Sequence, residues 1–152
     1  MGLAGLFDNG VLIGTLVAWL IAQGLKPPIE YLKTREWNWR SMFNAGGMPS
    51  SHSALLVSAT HGIGLFDGYN SSLFALAVAI TMIVVYDAAG VRRQAGIHAE
   101  RINVLFDELL KGHMWDQNEL REVLGHTPLE VLGGILLGLL VATINWLIWT
   151  KV

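Results

Sequence analysis

Hydrophobic residues gather into four stretches along the chain, with the charged residues crowded between them. Val11 to Leu25 is the first, and it is short for a bilayer unless its flanks extend it. Ser53 to Phe66 is weaker: its fourteen residues reach about 21 Å as a helix, against a hydrocarbon core of about 30 Å. This second stretch reads as a full span or as a re-entrant helix enclosed by its neighbours. Leu73 to Ala89 is a convincing third span, and Leu129 to Trp149 is long enough to cross alone, with Trp146 and Trp149 where an interfacial aromatic belt belongs.

The intervening segments carry their own periodicity. Ile102, Leu105, Phe106, Leu109 and Leu110 recur at i, i+3, i+4, i+7 and i+8, the stripe of an amphipathic helix. Asp116 followed by Glu119 is a capping-box pattern that opens a short helix through Leu124. Ile29 to Trp39 sets Tyr31, Trp37 and Trp39 among charges and reads as an interfacial helix. The expected fold is therefore all-α: a polytopic membrane helix bundle of about four spans, one of them spanning or re-entrant, with cytoplasmic amphipathic helices. No internal repeat breaks the chain, so residues 1–152 form one membrane domain.

Composition agrees. Of 152 residues, 53% are hydrophobic and 14% charged, and the mean hydropathy is +0.47, an integral membrane profile. A net charge of −2 argues against nucleic acid as a partner. The absence of cysteine excludes disulfides and thiolate metal sites. The N-terminus lacks the basic region of a signal peptide, so the first apolar segment is expected to be retained.

The basic residues orient the bundle. Lys26, Lys33, Arg35 and Arg40 follow the first span, and Arg92, Arg93, Arg101, Lys111 and Arg121 follow the third, leaving only Lys151 elsewhere. The positive-inside rule makes those two loops cytoplasmic and turns both ends of the chain outward.

Candidate chemistry gathers on the same side. Gly46-Gly47 permits unusual backbone angles just before Pro49-Ser50-Ser51-His52-Ser53, which stands where the second apolar segment begins. Thr127-Pro128-Leu129-Glu130 repeats the arrangement at the last span, with Thr127 as N-cap, Pro128 at N1 and Glu130 at N3. His126 then sits immediately outside a helix start, and helix starts favour anions. Hydrolysis of a phosphomonoester needs cations and backbone amides around the equatorial oxygens, an in-line nucleophile and an acid for the departing alkoxide. Lys33, Arg40, the two helix starts and the two histidines are candidates for each part. None of the five histidines has tight metal-ligand spacing, and no metal or cofactor is expected.

These residues resemble the superfamily of type-2 phosphatidic acid phosphatases and vanadium haloperoxidases, in particular its short, divergent bacterial and plant branch. The superfamily motifs run KxxxxxxRP, PSGH and SRxxxxxHxxxD. Lys33 and Arg40 match the first spacing, with Ser41 for the proline. Pro49, Ser50 and His52 match the second, with Ser51 for the glycine. His126 and Glu130 match the end of the third, with Glu for Asp. Gly46 to Ser53, Tyr86 to Arg93 and Gly125 to Val131 resemble the divergent branch's own signatures, and the likeness runs from about Val11 to Ala142. The third motif's arginine is the departure: its position holds Leu120, Arg121 is one place off, and Arg92 or Arg93 is left to supply the cation.

The resemblance implies a metal-free phosphohistidine mechanism. His126 would attack phosphorus while Glu130 orients its ring, and His52 would protonate the leaving oxygen and later activate water. Lys33, Arg40, Ser50, Ser51, Arg92 and Arg93 would hold the phosphate. The implied substrate is a lipid phosphate (phosphatidate, phosphatidylglycerophosphate or an isoprenoid phosphate) in a bacterial plasma membrane or a plastid membrane, with the site facing cytoplasm or stroma. The alternatives are a catalytically idle phosphate or lipid-headgroup binder and a structural membrane protein whose turns are only caps.

Other polar residues have simpler readings. His61, inside the second stretch, fits helix packing, and Asp87 is placed to pair with Arg92 or Arg93. Gly134 and Gly138 form a GxxxG in the last span, a close-contact motif. Because the chain is small for its superfamily's core, a homodimer through that glycine face is expected.

Overall fold

The computed structural model describes residues 3–44, 46–109 and 125–151. Among these residues, five α-helices follow a short 3-10 turn at Leu3–Leu6: α1 (Gly10–Thr34), α2 (Ser51–Asp67), α3 (Ser72–Ala89), α4 (Val91–Leu109) and α5 (Pro128–Lys151). A second 3-10 turn, Trp39–Phe43, lies between α1 and α2 and packs on α1. Among the described residues, α1, α5 and the run starting with α3 are long and apolar enough to cross a membrane. This is an all-α membrane bundle.

Each start has a local cause. The Asn9 side chain accepts from Leu12 N at 2.9 Å, Ser50 Oγ from Ser53 N at 3.3 Å, and Ser71 Oγ from Phe74 N at 3.2 Å. These are N-caps supplying acceptors to amides that have no helical partner. The first helix runs well past its expected end at Leu25. It carries Pro27 and Pro28 in its interior and stops only at Arg35, whose φ of 62° is left-handed. Residues 29–34 therefore continue the first span and do not form a separate interfacial helix. The proline rings remove donors to the Gln23 and Gly24 carbonyls, yet the helical path survives because neighbouring elements hold this end of α1. The second helix, 17 residues long, reaches about 26 Å, longer than its apolar stretch indicated because Ser50 caps it early.

The core is made of small residues. Ala18, Ala22, Ala54 and Ala142 are buried, as are Gly62, Gly134 and Gly138, whereas Leu16, Leu20, Ile80, Ile83, Leu136 and Leu140 are exposed. Lipid tails are as apolar as leucine, so burying large aliphatics gains little there, and close backbone approach is what associates the helices. Of these helices α2 is central, packing against α5, α1 and α3, with α1 also against α5. A Cβ placed on Gly138 would stand 2.7 Å from Ala54 O and 3.0 Å from Val57 Cβ, and one on Gly134 would meet Ser50 O and stand 2.8 Å from Ser53 Cβ. The GxxxG face is thus occupied by α2 of the same chain. It is not available to a second copy, which corrects the expected dimer contact.

Two ends result. At one, Asn145 Nδ2 donates to Gly10 O at 2.8 Å, and His61 Nε2 and Nδ1 pair with Thr143 Oγ1 at 3.0 Å and Tyr69 Oη at 3.1 Å. His61 is accordingly a packing residue. At the other end meet the C-terminus of α1, the starts of α2 and α5 and the end of α3. Leaving that end, α4 packs chiefly on α3, and the rest of the described chain leaves its Ile102, Leu105 and Phe106 stripe uncovered. The short helix expected from Asp116 through Leu124 lies outside the described residues.

Candidate active site

Backbone hydrogen bonds tie the second end together. Ser50 N donates to Glu130 O at 2.9 Å, joining the start of α2 to the first turn of α5. His126 N donates to Ala88 O at 3.1 Å, joining the segment before α5 to the last turn of α3. Gly47 takes φ +93°, a value that disfavours any side chain. Beyond it, Met48 and Pro49 lie against Gly133, where an added Cβ would stand 3.3 Å from Met48 Cε and 3.6 Å from Pro49 Cβ. The stretch between the 3-10 turn and α2 is thereby laid over the start of α5.

The capping box expected at α5 is formed. Thr127 Oγ1 accepts from Glu130 N at 3.4 Å, and Glu130 Oε2 accepts from Thr127 N at 3.0 Å. The same carboxylate oxygen lies 3.2 Å from His126 Nδ1. His126 is 3% exposed, and its Nε2 is closed off from solvent. An Nδ1–H directed at Glu130 leaves Nε2 as the basic nitrogen of a neutral ring. The His52 ring is exposed and stands 6.1 Å from that of His126, centroid to centroid, at an interplanar angle of 63°. The structure thus brings together the two histidines and the carboxylate, which the sequence separates by up to 78 positions.

The remaining predicted residues fall in different surroundings. Ser50 and Ser51 are buried at the start of α2, and the Ser50 hydroxyl serves as the cap, accepting from Ser53 N at 3.3 Å and from the Ser53 hydroxyl at 3.0 Å. Lys33 and Arg40 are exposed, Lys33 in the last turn of α1 and Arg40 in the following 3-10 turn. Arg92 and Arg93 open α4, and their side chains lie outside the described residues.

Among the described residues, the cation buried at this end is one the motif spacing passes over. Lys26 is 2% exposed. Its Nζ donates to Asn44 O at 2.7 Å. A lysine directly before Pro-Pro reads as the polar flank of a finished span. Only if α1 continues past the prolines does Lys26 become a charge inside a helix, which is a mark of function in itself.

The Divergent PAP2 family matches residues 7–141. An uncharacterized membrane protein of Bacillus subtilis, YuiD, is 37% identical over 150 residues, covering 91% of this chain and 95% of that protein. No solved structure matches the chain. With the match running through every element that builds the site, the chain belongs to the divergent PAP2 family.

Proposed function

We propose that the protein is a metal-independent lipid phosphate phosphatase working through a phosphohistidine at the cytoplasmic face of the membrane. The observation that carries this reading is the His126–Glu130 pair at 3.2 Å with the His52 ring 6.1 Å from that of His126, at the start of a helix. In the first step His126 Nε2 bonds to phosphorus, the ester P–O bond breaks, and the leaving oxygen takes a proton from His52. In the second, His52 takes a proton from water, the water oxygen bonds to phosphorus, and the N–P bond breaks to release inorganic phosphate. Glu130 stabilises the imidazolium throughout. Lys33, Arg40 and, from α4, Arg92 and Arg93 supply positive potential around the phosphate.

The substrate reading follows from position. Lys33, Arg35 and Arg40 mark the site's end of the bundle, and the positive-inside rule assigns that end to the cytoplasm or stroma. Phosphatidate, phosphatidylglycerophosphate and isoprenoid phosphates present their phosphates there. The test is phosphate release from a panel of these lipids by purified protein in EDTA, beside His126→Ala. Release lost in the variant and blocked by vanadate supports the phosphatase.

An idle phosphate or headgroup binder is the second reading, favoured by the burial of His126 and the exposure of Lys33 and Arg40. Phosphate binding without release, in folded protein across the panel, would decide for it.

A further inference from the structure

At the end of the bundle away from the histidines, α1 and α3 each pack on α2, but among the described residues they do not pack closely on one another. The space left between them has a volume of about 650 Å³. Near its mouth the Phe66 ring lies against the backbone of α1 at Gly10. Apolar side chains of Val11, Leu12, Ile63 and Leu73 form the walls. Ala59 lines the cleft eight residues before Asp67 along α2, so the cleft runs about 12 Å into the membrane direction.

The rim has one sign of charge. Asp8 and Asp67 both line the cleft, both are exposed, and neither side chain makes a hydrogen bond or ion pair among the described residues. Asp8 precedes the start of α1, where a carboxylate is favourable. Asp67 has no such reason to be there. It is the last residue of α2, whose carbonyl end repels a negative charge and attracts a positive one. No basic side chain is among the described residues that line the cleft. An apolar depth with a few polar groups at one end fits an amphiphile, and this rim fits one whose polar end is a cation.

We propose that the cleft binds a phospholipid from the leaflet opposite the histidine end, with an acyl chain in the apolar depth and an ammonium headgroup on Asp8 and Asp67. An ethanolamine headgroup brings N–H groups that donate to carboxylates as charge-assisted hydrogen bonds. A glycerol headgroup brings only the negative charge of its phosphate, which the two aspartates repel. The lipid is a bound partner of the fold, remote from His126, and its binding does not depend on turnover.

The experiment uses the full chain in nanodiscs holding equal amounts of phosphatidylethanolamine and phosphatidylglycerol with identical acyl chains. Native mass spectrometry of the released protein reads which lipid stays bound, in wild type, Asp8→Asn, Asp67→Asn, the double variant and Ala59→Leu. One ethanolamine lipid per chain is expected, retained about tenfold over the glycerol lipid, with each single variant cutting the preference about threefold, the scale of a partly exposed charge contact. The double variant is expected to bind both lipids equally, because the apolar walls remain. Leucine at 59 fills the inner end and is expected to lose retention of both. Equal retention by wild type, or a preference unchanged in the double variant, would overturn the proposal. Should Ala59→Leu fail to fold, Leu73→Trp on the exposed wall carries the same comparison. Retention that survives in a folded cleft-filling variant would place the lipid elsewhere and sink the proposal. So would a lipid-free dimer that dissociates when the cleft is filled, since the occupant is then a second copy. Phosphate release is expected to be unchanged in the aspartate variants, so failure of the phosphatase reading and failure of this one are read separately.

Discussion

Glu130 holds His126 and its own helix start with one oxygen: Oε2 is 3.2 Å from His126 Nδ1 and 3.0 Å from Thr127 N. A capping carboxylate and a histidine-orienting carboxylate are here the same group. Glutamine at 130 can still satisfy the Thr127 amide but brings no charge to the imidazolium. Glu130→Gln is therefore expected to keep its thermal midpoint within a few degrees while phosphate release drops about 10²–10⁴-fold, as when an orienting carboxylate is neutralised in a hydrolase triad. A parallel loss of helicity and release would mean that Glu130 is only a cap.

The exposed cations are expected to behave differently. Lys33 and Arg40 are exposed, so under the phosphatase reading they would act on an incoming phosphate through solvent, where one exposed charge contributes about 0.2–1 kcal/mol. Lys33→Ala and Arg40→Ala should each raise KM about two- to fivefold with kcat nearly unchanged, and the difference should shrink in high salt. Steady-state kinetics at two ionic strengths checks this, and a large kcat loss in either variant would place that residue against the phosphate itself.

Gly138 has no room for a side chain, with Ala54 O 2.7 Å and Ser58 N 3.0 Å from the Cβ position. Those neighbours are backbone and cannot turn aside. Gly138→Leu is expected to lower stability by about 1–3 kcal/mol or more through overpacking, seen as a lower midpoint in detergent melts. The oligomeric state by mass measurement in nanodiscs should not change, since the face it disturbs lies between helices of one chain.

The His61 cluster sits at the far end of the bundle from Glu130 and serves as a control. Tyr69→Phe removes the hydroxyl of Tyr69, in the turn after α2, from His61 Nδ1, and an intramolecular hydrogen bond contributes about 0.5–1.5 kcal/mol. A small drop in stability with full phosphate release is expected. Lost release would connect the two ends of the bundle.

Orientation is checked independently. Reporters fused before α1 and after α5 should be active only outside the cytoplasm. A C-terminal fusion active within it would reverse the topology and move the phosphate reading to lipids on the outer face.

How much of this was legible depends on the range of each interaction. The α5 cap was readable because every group in it lies within a few residues: Thr127, Pro128 and Glu130 specify their own helix start and carry His126 with it. The Ser50 cap of α2 is equally local, but the apolar pattern placed that helix start at Ser53. Hydropathy located α3 and α5 nearly to the residue, since a long apolar run has few alternatives. By contrast, α1 was cut short at Lys26-Pro27-Pro28 because proline is a breaker in isolation, and the packing that carries the helix through it is not local.

The sequence by itself determined the all-α membrane character, the helix starts and the identity of the histidines and carboxylate, since hydropathy and capping act over one or two turns. Tertiary structure decided which of those groups meet. It set the rings of His52 and His126 6.1 Å apart, spent the glycine face of α5 on α2 and buried Lys26 against the Asn44 carbonyl. The physical reason is that in a lipid-facing bundle small residues determine how closely helices approach, and that approach determines which distant charges share one low-dielectric site.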